Sequence, residues 1–238
     1  MVVSGYTPPM ICLVLALWLL TARAADPEPG AAVEALQAQM MERYEAQDFG
    51  EAAVLARRSV ELLEPVSSPD DLELAGLVNN LAVMLKSAGE YPQARAAYER
   101  SIGIFARNPA APYEQTAVTH NSLARLLAIM GQHADSLRHL RRAEALFEAA
   151  ANPADNVRRG VVARNLVEVH KEAGEQAEAL HQTERWLAFF ESAYGSEDPR
   201  LGDALEQQAR LRRSMGRPAE ALVPCERAIT LLQGPEYA

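Results

Sequence analysis

A module Gly-x-x-x-x-Ala recurs along the chain at Gly89/Ala94, Gly131/Ser136, Gly174/Ala179 and Gly216/Ala221, with a looser copy at Gln47/Ala52. The steps between copies are 42, 42, 43 and 42 residues. A period of that length marks stacked supersecondary units. One such unit cannot bury its apolar face alone, so neighbours must cover one another. The chain is thereby constrained to a solenoid, whose product is extended surface. Only 6% of its 238 residues are aromatic against 49% hydrophobic, an alanine- and leucine-rich balance that leans towards helix.

The segments between modules also look alike: Ser67-Ser68-Pro69-Asp70-Asp71, Asn108-Pro109, Asn152-Pro153-Ala154-Asp155 and Ser196-Glu197-Asp198-Pro199. Each sets Ser, Asn or Asp before Pro, a helix cap followed by the residue best tolerated at the first helical position, so each is expected to start a helix. The helices that follow carry Asn79-Asn80-Leu81-Ala82, Asn121-Ser122-Leu123-Ala124 and Arg164-Asn165-Leu166-Val167, and end near the glycine in a tight turn. The return helices carry small residues seven apart, Ala94/Ser101, Ser136/Ala143 and Ala221/Ala228, which let helices approach closely. In the third unit the second of these positions holds Trp186, so that contact must be built differently. Tyr91, Tyr98, Phe105, Phe147, Phe189 and Phe190 fall at core spacing on the return helices.

The pattern Leu-Ala…Gly-x-x-x-x-Ala…Ala resembles the tetratricopeptide repeat. The 42-residue period, the Asn-Asn-Leu-Ala box and Tyr194-Gly195-Ser196-Glu197-Asp198-Pro199 resemble its kinesin-light-chain-type variant, of an exported bacterial kind. The resemblance implies an all-α, right-handed superhelical solenoid of antiparallel helix pairs. A divergent capping repeat spans 33–74, repeats follow at 75–116, 117–159, 160–201 and 202–232, and a tail occupies 233–238. It further implies that the first helix of each pair lines a concave groove. The family register then places Asn79, Asn80 and Lys86, Asn121 and Arg125, Arg164, Asn165 and Lys171, and Arg210 and Arg213 on that face, with Ile129 beside them.

The chain carries a net charge of −9, which argues against a general nucleic-acid binder, whose phosphate contacts need surplus Lys and Arg. Its only lysines, Lys86 and Lys171, both fall in the groove register, so the face is basic within an acidic protein. Cations with asparagine amides suit an acidic segment or a C-terminal carboxylate of a protein or peptide partner. Glu168, Glu172, Asp203 and Glu206 dilute the pattern, and the alternative is a set of solvated helix charges. The expectation is an interaction module that is not an enzyme and needs no cofactor or metal. There is no phosphate-cradling glycine loop, no His-Glu-x-x-His and no Cys-x-x-Cys. His120 and His170 read as core or half-buried, and His139 as exposed.

Residues 1–24 read as a secretory signal peptide: the apolar run Met10–Leu20 has 11 residues, short of the roughly 20 that span a bilayer, and precedes Ala22-Arg23-Ala24. No Lys or Arg precedes that run, which leaves an uncleaved anchor as the alternative. A linker is expected over 25–32, and an exported, periplasmic or secreted location with no membrane span after cleavage. Cleavage would leave Cys225 as the one cysteine, read as a buried small hydrophobe. Leu222, Ile229, Leu231 and Leu232 fall on the last helix with no polar cap after them, so a homo-oligomer joined through that helix is the rival reading.

Overall fold

The computed structural model describes residues 29–233, so the signal-peptide reading, Cys12 and the last five residues lie outside the described part. Ten α-helices run through it: α1 (Pro29–Glu45), α2 (Phe49–Leu63), α3 (Leu72–Ser87), α4 (Tyr91–Arg107), α5 (Tyr113–Ile129), α6 (His133–Ala150), α7 (Asn156–Glu172), α8 (Gln176–Tyr194), α9 (Gly202–Ser214) and α10 (Pro218–Gln233). Each odd-numbered helix packs most heavily on the even-numbered helix that follows it, and each pair stacks on the next. That is the all-α solenoid of helix pairs. Helix α1 begins at Pro29, inside the segment expected to be a linker, because proline suits a helix start and the alanines after it favour helix.

One backbone device makes all five hairpins. Gly89, Gly131, Gly174 and Gly216 have φ of 81°, 72°, 76° and 75°, the left-handed region open to a residue without Cβ. At the first of them Glu90 N–H donates to Leu85 C=O (2.9 Å) and Gly89 N–H to Lys86 C=O (3.1 Å), which satisfies two orphan carbonyls of α3. The same pair of bonds recurs at each later glycine, and at Gln47, which holds the left-handed conformation at φ 60° despite its side chain.

The helix starts differ from the expectation. Asn108 Oδ1 accepts from Ala110 N–H and Asn152 Oδ1 from Ala154 N–H, while Asp198 Oδ1 accepts from Arg200 N–H. Each prolines's predecessor therefore closes a tight local turn, which at Pro153–Asp155 and Pro199–Leu201 becomes one turn of 3-10 helix. The α-helix begins only after it. Before α3 the cap is Asp71, whose Oδ1 accepts from Glu73 and Leu74 N–H groups, and not Ser68.

The core runs through the hairpins as a chain of clusters. The largest joins α1 to α5 around Tyr98, Leu85, Leu123, Leu126 and Leu127, all at most 2% exposed. The small residues do what their spacing implies: Ser101 Oγ donates to Ala75 C=O and Ser136 Oγ to Ala124 C=O, both at 2.8 Å and buried. In the third unit Trp186 is buried, and the room comes from the facing helix, where Gly160 lies directly under Trp186 and Phe190.

Candidate functional site

The odd-numbered helices form one face of the array. Helix α3 touches α5 and α5 touches α7 directly. On that face Asn165 Nδ2 donates to Asn121 Oδ1 at 2.7 Å, tying α7 to α5, and Lys171 Nζ donates to Gln207 Oε1 at 3.0 Å, tying α7 to α9. Two of the asparagines singled out from the sequence are thus bonded to each other across the groove floor. Asn79 Oδ1 is enclosed without a hydrogen-bond partner among the described residues.

The ten candidate residues are spread over several depressions. Arg125, Arg164 and Asn165 share one of about 330 Å³ with Ile129, Glu168 and Glu172, over a floor of Ala128, Leu140 and Val169. Asn79 and Asn80 line another of about 320 Å³ beside Glu114, Thr119 and Arg158. Arg210 and Arg213 meet Glu206 and Cys225 in a third of about 450 Å³. Ile129 is 58% exposed, which gives the first depression an apolar rim.

The cations divide into two groups. Lys171 pairs with Glu168 at 3.0 Å, three residues earlier on α7, and Arg210 pairs with Glu206 on α9. Glu172 is engaged by His133 Nδ1 at 3.1 Å. Lys86, Arg125, Arg164 and Arg213 make no ion pair among the described residues; Arg164 instead has its guanidinium 5.9 Å from the centre of the Trp186 ring. Burial, and then the nearby Arg125 guanidinium, push the Lys86 ammonium below its usual range. A cation lodged beside another cation with no anion at hand is electrostatically unsatisfied. Under them lies the Tyr98 hydroxyl, pushed up to about 12 by burial, with Ser122 and Arg125 pulling the other way.

Two expectations outside the groove are corrected. His139 is half-buried, because its Nδ1 lies 2.9 Å from Nδ1 of His120 on the neighbouring helix. Cys225 is exposed, although Tyr98, Leu140 and Thr183, at the matching place in the earlier repeats, are fully buried. Those residues lie under the next helix pair, and Cys225 is on the last pair described. Next to it on α10, Leu222, Val223 and Ile229 are 61%, 69% and 53% exposed. Among the described residues no group of His, Cys, Asp and Glu could hold a metal ion, and no helix is long and apolar enough to cross a membrane.

Helix pairs stacked at a 42-residue period, with their first helices on one open face, define a solenoid of the protein-interaction type. Residues 73–149 match the tetratricopeptide repeat family, and the chain carries tetratricopeptide repeats of the kinesin-light-chain kind. Among solved structures, BtubC (BKLC) from P. vanneervenii superposes with a TM-score of 0.76 at 21% identity, over 95% of this chain and 90% of its own. A kinesin light chain protein of nearly identical TPR-like repeats from Podosopora anserina gives 0.75 at 17% identity, over 89% and 100%. Aspartyl phosphate phosphatase F from Bacillus subtilis gives 0.74 at 15%, with 98% of this chain covering 58% of that one. These likenesses are of fold. No curated protein matches the chain.

Proposed function

We propose that the protein is a non-enzymatic scaffold that holds an acidic, extended segment of a partner protein in the groove of its odd-numbered helices. The observation that carries this reading is the set of cations without counter-ions, Lys86, Arg125 and Arg164, on three successive first helices of a chain with net charge −9. A partner carboxylate relieves the repulsion between Lys86 and Arg125 and converts each cation into a charge-assisted hydrogen bond. Asn79 Oδ1, enclosed and unpartnered, takes a backbone N–H of the bound segment, and Ile129 supplies apolar contact beside Arg125. The Met10–Leu20 run and Ala22-Arg23-Ala24 support an exported location, in an envelope or secretion assembly.

Titration of a fluorescent Glu-rich peptide tests the groove, alongside its Lys-rich counterpart and at rising salt. Binding of the acidic peptide alone, weakened by salt and by Arg125→Glu, is the expected result. Equal affinity for both peptides, or indifference to Arg125→Glu, overturns it. Export is tested separately by the N-terminal residue of the mature chain: a start at Ala25 supports it, and Met1 retained in the cytoplasm refutes it. A second reading, self-association through α10, is favoured by one observation, the exposed Leu222, Val223, Cys225 and Ile229 at places buried or half-buried in the earlier repeats, save for Val223. It predicts a mass that rises with concentration and that Leu222→Glu reduces to the monomer.

A further inference from the structure

The three unpaired cations do not sit at one level of the groove. Lys86 lies three residues before Gly89, Arg125 six before Gly131 and Arg164 ten before Gly174. Since each glycine ends its helix in the same conformation, these offsets compare directly. Each step from one first helix to the next moves back by three or four residues, close to one helical turn, or about 5 Å along the axis. Packed helices lie roughly 8–10 Å apart. One step from cation to cation is therefore about 10–11 Å, along a diagonal. A fourth step of the same kind, thirteen residues before Gly216, falls on Asp203, so the ladder has three cationic rungs and ends on an acid.

A bound chain can match that spacing in few ways. In a β-strand, side chains return to the same face every second residue, so same-face groups lie about 7 Å or about 14 Å apart. Neither fits. In the polyproline II conformation the same face returns every third residue, at about 3.1 Å per residue or roughly 9 Å per turn. The flexible stems of Lys86 and the two arginines absorb the remaining ångström or two. An α-helical ligand is a poorer match, because its same-face groups at one-turn spacing lie only about 5 Å apart.

We propose that the groove selects a polyproline-II-like segment with a carboxylate at every third residue, one for each of Lys86, Arg125 and Arg164. The inference rests on the acidic-groove reading above and specifies its ligand. Lys171 and Arg210 take no part in the selection, because Glu168 and Glu206 already neutralise them.

The test uses three peptides of identical composition on the full chain at low salt, read by fluorescence anisotropy. One carries Glu at positions 1, 4 and 7, one at 1, 3 and 5, and one at 1, 2 and 3, on a Pro- and Ala-containing background. The first is expected to bind about tenfold more tightly than the others, the sum of three modest charge contacts made together instead of one or two. The preference should vanish in Lys86→Gln/Arg125→Gln/Arg164→Gln. It should persist in Glu168→Gln/Lys171→Gln, a control that removes a charge pair without changing net charge. Equal affinity for the three acidic peptides, all weakened by the triple variant, refutes the spacing and leaves the acidic groove standing. Binding by none of them, or binding unaffected by the triple variant, refutes both. If the triple variant loses its helical signal, the comparison of peptides on the natural chain decides the matter alone.

Discussion

Replacing Gly160 by alanine sets two effects of known size against each other. Gly160 is buried in the second turn of α7, where alanine would ordinarily stabilise a helix by about 0.5–1 kcal/mol. A Cβ built there would lie 2.4 Å from both Cδ1 and Cε1 of Phe190 and 3.5 Å from Cδ1 of Trp186. Carbon atoms in contact rest roughly 3.5–4.0 Å apart, so the Phe190 ring must retreat by about 1 Å or more. It has little freedom to do so: it meets Trp186 edge-on at 6.0 Å and Tyr194 edge-on at 5.4 Å. Overpacking of this kind costs about 1–3 kcal/mol, which exceeds the helical gain, so Gly160→Ala should destabilise the protein by about 1–2 kcal/mol. Gly76, one residue further along in the register of α3, has nothing within 4 Å of its Cβ direction, and Gly76→Ala should stabilise by about 0.5–1 kcal/mol. The assay is urea unfolding of both variants at constant slope. Hydrogen exchange adds the local readout: faster opening of α7 and α8 in Gly160→Ala, since repeat arrays can unfold in parts. A Gly160→Ala protein as stable as the natural one would refute the account of how Trp186 is accommodated.

Three further outcomes follow from other local features. Pro224 lies inside α10 and cannot donate to Glu220 C=O, which accepts instead from Arg212 Nη1 at 3.1 Å; Pro224→Ala should raise the unfolding midpoint, by about 1–3 kcal/mol, and a neutral or lower midpoint would show that the Arg212 bond fully replaces the missing one. Gln47 occupies the left-handed hinge that glycine fills four times, so Gln47→Gly should stabilise the first hairpin by up to about 1 kcal/mol in the same urea assay. His120 is held neutral, its pKa lowered to about 4 by burial first and by His139 and Arg142 after it, while the unfolded chain binds a proton near 6.5. Because the unfolded state is the better proton binder between those values, stability should fall with falling pH, by about 2 kcal/mol from pH 7 to pH 5. His120→Gln should flatten that dependence, and an unchanged slope would refute it.

How much of the fold could be read from the residues depends on where each signal lives. The hinge glycines, the return-helix alanines and the leucine pairs act within one repeat, and a local rule placed them. The proline segments misled because an Asn or Asp side chain before Pro can close a turn on itself as readily as it caps a helix, and only backbone geometry separates the two. Trp186 marked a break in the small-residue pattern, but the compensating residue, Gly160, sits on the facing helix 26 residues earlier, where nothing local singles it out. His139 was misplaced for the same reason. Its burial is created by one partner, His120, in the other helix of the hairpin.

The groove shows a different limit. Counting cations by register put Lys86, Arg125, Arg164, Lys171, Arg210 and Arg213 on equal terms, yet their electrostatic standing differs because charge in a folded chain is judged against its neighbours. Part of that distinction is legible in one dimension. Glu168 and Lys171 stand three apart and Glu206 and Arg210 four apart, the spacings at which helical side chains meet, whereas no acid stands three or four residues from Arg125. The rest is not. Arg164 has Glu168 four residues on, and the sequence alone would pair them; in the fold Glu168 turns to Lys171, and Arg164 lies near Trp186 of the following helix. The choice between two partners for one carboxylate is settled by α8, an element the local pattern does not contain. A groove's specificity therefore resides less in which charges line it than in which of them the scaffold has left without a counter-ion. For this chain that reduces six candidate cations to a diagonal of three with Arg213 at the far end, and it gives the ligand a spacing as well as a charge.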